Sequence, residues 1–295
     1  MPLVPIPALM HQAIAGKYAL GYFESWNFES LMGVIDAAEA ADAPVIIGFN
    51  GEFMSSTVRT LPERIASYGA LGRAAAEDAR VPCGFIFNEC PHDDWVRRAV
   101  TAGFNLVMPV PDHDESHESY TMRTAAITAY AHAHGVAVEA ELGTLPFGAD
   151  VPGDTTDPQQ AAEFVAATGV DLLAISAGNV HVLLEGRRSL DLERIAALQA
   201  AVPVPLVLHG GTGIEDDSLR EAVRLGVAKV NYGTALKQAY LSALRRALDT
   251  TEANPHQLLG MGEPGDIMMA GREAVRDAVL EKMDVLGCTG RANYG

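Results

Sequence analysis

Short apolar runs alternate along the chain with longer segments in which apolar residues recur at helical spacing. The runs predict strands at residues 19–24, 44–50, 81–88, 106–110, 136–142, 171–177, 205–210 and 229–233. The segments between them predict helices at residues 27–41, 61–79, 119–133, 158–168, 190–201 and 216–225. Strands that alternate with helices in this way indicate right-handed βαβ units and a parallel sheet.

The number of strands favours one architecture. Eight such strands, with no Gly-x-Gly-x-x-Gly turn after the first, predict an α/β fold, the (β/α)8 TIM barrel, rather than a dinucleotide-binding sheet. Further helices at 235–248 and 268–286 predict a C-terminal helical extension, at about 235–295, that packs over the barrel or on a neighbouring subunit. Residues 1–295 are therefore expected to form a single barrel domain with extra C-terminal helices.

Composition and charge narrow the class of protein. Of the 295 residues 48% are hydrophobic, enough for one large core, and no apolar run reaches the ~18 residues of a membrane span. A formal net charge of −17, with no basic cluster larger than a pair of adjacent arginines, disfavours nucleic acid as a partner. Three cysteines without C-x-x-C spacing, and a start without a leader pattern, predict a cytoplasmic protein whose partners are small-molecule substrates.

Two histidines stand at the ends of successive predicted strands. His209 ends the strand at 205–210, and His181 follows the strand at 171–177. The carboxyl ends of barrel strands meet at one face, where such enzymes build their sites. Imidazoles with a nearby carboxylate suit Zn²⁺, Mn²⁺, Fe²⁺ or Co²⁺. A single histidine beside a core strand is more often structural, but two on successive strands favour metal binding.

Glycine-rich and polar turns follow the last two strands. Turns of this kind expose backbone N–H groups that can hold an anion, and barrels often bind phosphate after strands seven and eight. The residues expected to bind substrate or phosphate are Gly210, Gly211, Thr212, Gly213, Asn231, Gly233 and Thr234. The alternative is that the two threonines only cap the helices that follow them.

Carboxylates also occur at strand ends. Glu139 and Glu141 alternate along one strand, so both point to the same side of it. Two carboxylates that face into a barrel must be paired with a cation, a metal or each other. We expect Glu141, nearer the strand end, to be functional and Glu139 to be structural.

The chain resembles the class II, metal-dependent fructose-bisphosphate and tagatose-bisphosphate aldolase family over nearly its whole length. The resemblance is densest at residues 138–143, 156–158, 168–174, 205–213 and 226–234. It implies a (β/α)8 barrel that assembles as a homodimer or homotetramer. It also implies reversible cleavage of a sugar-like compound, with a divalent metal polarising the carbonyl and holding the enediolate. Zn²⁺ is the metal favoured, with Mn²⁺, Co²⁺ or Fe²⁺ as alternatives.

The resemblance fails where the family carries its proton-transferring aspartate and a metal-binding histidine. Here the pair is Asn88-Glu89, so the implied metal ligands are Glu89, His181 and His209. Asparagine cannot act as a general base at neutral pH, and another carboxylate must replace the missing aspartate. The candidates are Glu141, Asp150, Glu24 and Glu52.

Departures also concern phosphate. The family follows its second metal-binding histidine with a glycine and, three residues beyond, a lysine, whereas here His181 is followed by Val182 and the lysine position holds Glu185. We therefore expect an aldolase-type lyase that acts on a polyhydroxy-carbonyl compound other than a ketose bisphosphate. Two alternatives stay open: an isomerase or epimerase that uses the same enediolate, and a non-catalytic binding or regulatory barrel.

Overall fold

The structure, a computed structural model, describes residues 3–112, 114–143, 154–180 and 186–292. Within them eight parallel strands close into a barrel in chain order, with the last strand hydrogen-bonded to the first. The strands are β1 (Leu20–Ser25), β2 (Val45–Asn50), β3 (Cys83–Cys90), β4 (Leu106–Pro109), β5 (Ala137–Leu142), β6 (Leu172–Ile175), β7 (Leu206–Leu208) and β8 (Val227–Tyr232). Each overlaps a strand predicted from the apolar runs, and the TIM barrel is confirmed.

Helices surround the barrel. They are α1 (Ile6–Gly16), α2 (Phe28–Ala40), α3 (Gly51–Ser55), α4 (Ile65–Asp78), α5 (Asp93–Ala102), α6 (His117–His132), α7 (Pro158–Thr168), α8 (Leu192–Ala201), α9 (Asp216–Arg224), α10 (Thr234–Ala247), α11 (Pro255–Leu258) and α12 (Ile267–Leu286). The predicted helices are all present, whereas the sequence pattern missed α1, α3, α5 and α11. None of the described helices is long and apolar enough to cross a membrane.

Burial of the strands accounts for their composition. Every residue of the described strands is buried except Glu141. Helices cover the outer face of a parallel barrel and side chains fill the inside, so such strands read as continuous apolar runs. The polar residues inside this barrel, such as Glu139 and Lys229, are therefore exceptions that need charged partners.

The C-terminal helices pack on the barrel's own outer layer. Helix α12 lies against α10 and α2. Arg272 of α12 donates from Nε and Nη2 to the two carboxylate oxygens of Asp36, at 2.5 and 2.7 Å. A Cβ at Gly33 would lie 2.6 Å from the Arg272 carbonyl oxygen, so glycine permits the close approach of α2 and α12.

Candidate functional site

Four charged side chains of alternating sign form a line inside the barrel, which we call the buried charge network. Lys229 Nζ lies 2.8 Å from Oε2 of Glu139, and Oε1 of Glu139 lies 3.1 Å from Nε2 of His209. The Nδ1 of His209 lies 2.8 Å from Oε1 of Glu89. These residues come from β8, β5, the end of β7 and β3, so only closure of the barrel brings them together.

The electrostatics of the network follow from burial and pairing. Burial alone raises the pKa of Glu139, but the ammonium of Lys229 and the hydrogen bond to His209 outweigh it and lower that pKa below its usual value. Burial lowers the pKa of His209, and its contacts with Glu139 and Glu89 more than compensate, raising it to about 9. At Lys229 burial outweighs the attraction of Glu139 and Glu89 and lowers the pKa of the ammonium below its usual value.

Glu89 is held in an unusual backbone conformation. Its φ is +53°, in the left-handed region, and the pairing of β3 with β4 shifts register between Phe87 and Cys90. Such conformations cost energy for a residue with a side chain and concentrate at functional sites. Asn50 supports this carboxylate, since its Nδ2 donates to Oε2 of Glu89 at 2.7 Å. The Oδ1 of Asn50 accepts from Phe53 N at 3.0 Å and so caps α3.

The donor set at the top of the network fits a divalent metal. His209 uses Nε2 on a carboxylate and turns Nδ1 to Glu89, which is the carboxylate–histidine arrangement that orients metal-binding imidazoles. Imidazole nitrogen and carboxylate oxygen are ligands of Zn²⁺ and its neighbours. The third predicted ligand, His181, lies outside the described residues. The part of the chain that the structure describes contains no group of three or more potential metal-binding side chains.

A cavity of about 110 Å³ opens above the network at the carboxyl ends of the strands. Its walls include these predicted site residues: Glu24, Asn88, Glu89, His209, Gly210, Thr212, Asn231, Gly233 and Thr234. They also include Asn50 and Glu52, which the ends of the predicted strands indicated, and four residues that sequence reasoning did not select, namely Tyr22, Phe53, Tyr232 and Lys237. The carboxyl ends of β1, β2, β3, β7 and β8 thus share one wall.

Some predicted residues stand elsewhere. Glu141 is half-buried on β5 and is not part of this cavity wall; its backbone N–H donates to Tyr120 Oη at 3.3 Å. Gly211 and Gly213 are buried in a 3₁₀ turn behind the wall. Asp150 lies outside the described residues, so its predicted role stays a prediction.

Polar atoms of several buried residues around the cavity have no hydrogen-bond partner among the described residues, among them Tyr22 Oη, Asn88 Oδ1 and Asn231 Nδ2. The three residues are 1%, 2% and 8% exposed, so water from bulk solvent does not reach them freely. Burial, together with the carboxylates of the site, raises the pKa of Tyr22 far above its usual value, and its hydroxyl keeps its proton. A buried polar group without a partner costs about 1–3 kcal/mol, so these atoms indicate a ligand.

At the upper rim of the cavity a second ion pair meets the N-terminus of α10. Oε1 of Glu24 accepts from Lys237 Nζ at 2.6 Å. A Cβ at Gly233, the N-cap residue of α10, would lie 2.4 Å from Oε2 of Glu24. The hydroxyl of Thr212 accepts from the backbone N–H of Ala235 at 3.3 Å. Thr212 therefore caps α10 rather than the helix that follows it in the chain.

Comparison with known proteins decides the family. The model of the family described as "Fructose-bisphosphate aldolase class-II" matches residues 4–291. The chain belongs to the class II fructose-bisphosphate aldolase family. A fructose-bisphosphate aldolase of Geobacillus stearothermophilus is 31% identical over 301 aligned positions, which cover 99% of each chain.

A second relative of this class II aldolase has a solved structure. The protein YdjI of Escherichia coli K12 is 34% identical over 280 residues, covering 93% of this chain and 94% of the relative. The crystal structure of the YdjI aldolase matches with a TM-score of 0.83 at 33% identity, covering 99% of this chain and 100% of that one. The expected resemblance is thus confirmed, and the protein is an aldolase-like lyase of a metal-dependent class.

Proposed function

We propose that this protein reversibly cleaves a carbon–carbon bond in a polyhydroxylated carbonyl compound that is not a ketose bisphosphate. The observation that carries the proposal is that polar atoms of Tyr22, Asn88 and Asn231, beside the His209–Glu89 pair, have no hydrogen-bond partner among the described residues. Asn231 Nδ2 donates, Asn88 Oδ1 accepts, and the hydroxyl of Tyr22 does both. Neighbouring hydroxyl and carbonyl groups of a sugar-like molecule offer the complementary donors and acceptors.

The buried charge network supports the proposed metal site from below. Glu89 and His209 would hold the ion, with His181 as the third ligand, and Zn²⁺ is the metal favoured by this donor set. When bound, such an ion supplies Lewis-acid polarisation of the substrate carbonyl oxygen. Glu139 acts as a positioning residue, because it accepts from Nε2 of His209 and fixes the orientation of the ring. Lys229 neutralises Glu139 from the opposite side.

Proton transfer needs a carboxylate, because Asn88 occupies the position of the family's aspartate. In the cleavage direction a base takes the proton from the hydroxyl beyond the bond that breaks, an aldehyde leaves, and the electron pair stays with the other fragment. Of the candidate bases in the described residues, Glu24 and Glu52 line the cavity. Glu24 is held by Lys237, whereas Glu52 stands at the exposed rim in the first turn of α3. We assign the proton transfer to Glu52.

The test joins metal content to product analysis. The protein, its His209→Ala variant and a matched His132→Ala control are measured for bound metal by elemental analysis. His132 is a suitable control because its imidazole pairs with Asp171 away from the cavity. We expect about one divalent ion per chain in the wild type and in the control, and loss of the ion in His209→Ala.

The same three proteins are then incubated with a panel of polyhydroxy ketones and aldehydes, with and without phosphate groups, and the products are read by NMR. We expect two shorter fragments, formed in the wild type and in the His132→Ala control only. A product of unchanged carbon skeleton indicates an isomerase or epimerase and contradicts the lyase proposal. Protein that takes up no Zn²⁺, Mn²⁺ or Co²⁺ contradicts the proposed metal site.

A further inference from the structure

We infer that Glu24 is a specificity-determining residue whose carboxylate fills the anion position at the N-terminus of α10. The substrate end that reaches this rim is therefore an uncharged, hydroxyl-bearing carbon rather than a phosphate. The inference rests on the proposed function, because it assigns the end of the substrate that this same cavity accepts.

The place that Glu24 occupies is one that favours negative charge. Helix α10 is 14 residues long and begins at Thr234 on the cavity wall. The start of a helix carries partial positive charge and exposed N–H groups, and it is a common position for bound phosphate. Lys237, in the first turn of this helix, adds a full positive charge. A helix start with a lysine beside it on a barrel wall has the chemistry of an anion subsite.

The carboxylate of Glu24 occupies this anion subsite. Its Oε1 lies 2.6 Å from Lys237 Nζ, and its Oε2 lies so close to Gly233 that a side chain there would displace the carboxylate. The side chain of Glu24 is 11% exposed and that of Lys237 is 34% exposed, so the carboxylate is the better shielded member of the pair.

A second observation places a ligand at the same wall. Asn231 of β8 is 8% exposed, its Oδ1 accepts from Lys229 at 2.6 Å, and its Nδ2 has no partner among the described residues. An anion delivered to this wall would meet the Glu24 carboxylate, and two like charges in contact repel strongly in a poorly solvated site. A hydroxyl avoids the repulsion, because it can accept from Asn231 Nδ2 and donate to a carboxylate oxygen of Glu24.

The experiment asks whether removing the carboxylate opens an anion site. Inorganic phosphate is titrated by isothermal calorimetry into the wild type, Glu24→Ala, the Glu24→Ala/Lys237→Ala double variant and a Glu52→Ala control. The control removes the same charge from the same cavity, and therefore separates occupation of the helix start from a change in overall charge. A phosphate that binds at the metal position contributes to all four titrations and drops out of the comparison.

We expect phosphate to bind Glu24→Ala at least about tenfold more tightly than the wild type, since Lys237 and the helix start become available to it. The gain should be lost in the double variant and absent from the control. Equal phosphate affinity in the wild type and Glu24→Ala, or an equal gain in Glu52→Ala, overturns the inference. Should Glu24→Ala not fold, as judged by its melting curve, Glu24→Ser is titrated instead and the same outcomes apply.

Turnover is measured separately, with each substrate in phosphorylated and unphosphorylated form. The wild type should prefer the unphosphorylated form, and Glu24→Ala should shift the ratio of kcat/KM towards the phosphorylated one. Phosphate binding needs no turnover, so the expected binding pattern in a chain that cleaves nothing supports the inference and contradicts the proposed function. Suppose instead that the wild type cleaves phosphorylated substrates and binds phosphate as tightly as Glu24→Ala. That result contradicts the inference about Glu24 and supports the lyase activity of the proposed function.

Discussion

The lower part of the site, which is the buried charge network, and the upper part, which is the cavity wall above it, differ in how their polar groups are hydrogen-bonded. Below, each charge of the buried network faces an opposite charge within about 3 Å, from Lys229 through Glu139 and His209 to Glu89. Above, polar atoms of buried residues such as Tyr22, Asn88 and Asn231 have no hydrogen-bond partner among the described residues. A satisfied network fixes the orientation of its members, whereas unsatisfied groups await a ligand. The comparison indicates that the lower part positions the chemistry and the upper part recognises the substrate.

The largest expected effect comes from breaking the lower part. Lys229→Met leaves Glu139 with a single partner in a position of zero exposure, and removal of one member of a buried pair costs about 3–5 kcal/mol. We therefore expect the free energy of unfolding, measured by urea titration at pH 7, to fall by about this amount. Lys282→Met, on the outer helix α12, is the matched control and should change it by less than about 0.5 kcal/mol. Equal stability of the two variants would show that the network does not stabilise the fold.

The next effect concerns the proton acceptor at the rim. Glu52→Gln removes the proposed base and keeps its size, so kcat should fall by about 10²–10⁴-fold. Stability should stay within about 0.5 kcal/mol of the wild type, because Glu52 is exposed. Steady-state kinetics and a urea titration on the same sample measure both quantities. A loss of stability that accompanies the loss of kcat would place Glu52 with the structural groups instead.

A third effect is the pH dependence of the stability that the buried charge network contributes in the metal-free protein. The pKa of His209 is raised from 6.5 to about 9, so its contribution to stability is complete below pH 6.5 and is lost as the pH rises through 9. A shift of this size corresponds to roughly 3 kcal/mol. Urea titrations of chelator-treated protein at pH 6, 7.5 and 9 should show this decline, and His209→Gln should show little of it. Metal affinity should change in the opposite sense, since the imidazole must lose its proton to bind an ion.

The smallest effect tests the upper part. Tyr22→Phe deletes a hydroxyl that has no hydrogen-bond partner in the part of the chain that the structure describes, so stability should be unchanged or rise by up to about 1 kcal/mol. The KM for substrate should increase several-fold, because the lost hydroxyl is proposed to bind it. Tyr120→Phe is the mirror control: its hydroxyl donates to Pro109 O at 3.2 Å on the outside of the barrel, so stability should fall by about 1 kcal/mol and KM should not change. The same response in both variants would remove the distinction between the two parts.

The sequence located the barrel and much of the cavity wall. Buried parallel strands read as apolar runs, and site residues follow them directly, as His209 follows β7 and Asn231 lies near the end of β8. Local pattern did not reveal Lys229 or Lys237. The strand and the helix that carry these lysines are predicted from their other residues. The role of each lysine depends on a carboxylate far away in the sequence, Glu139 at 90 residues from Lys229 and Glu24 at 213 residues from Lys237.

The spacing of apolar residues and the composition by themselves determined the alternation of strands and helices, the closed barrel and the face of the barrel that carries the candidate site. They did so because side-chain burial repeats with the geometry of each local element. Tertiary structure alone decided that Glu139 orients His209, that Thr212 caps α10, and that Glu24 fills the start of that helix. These contacts join distant elements, and their energies depend on distances of a few ångströms that no spacing along the chain encodes.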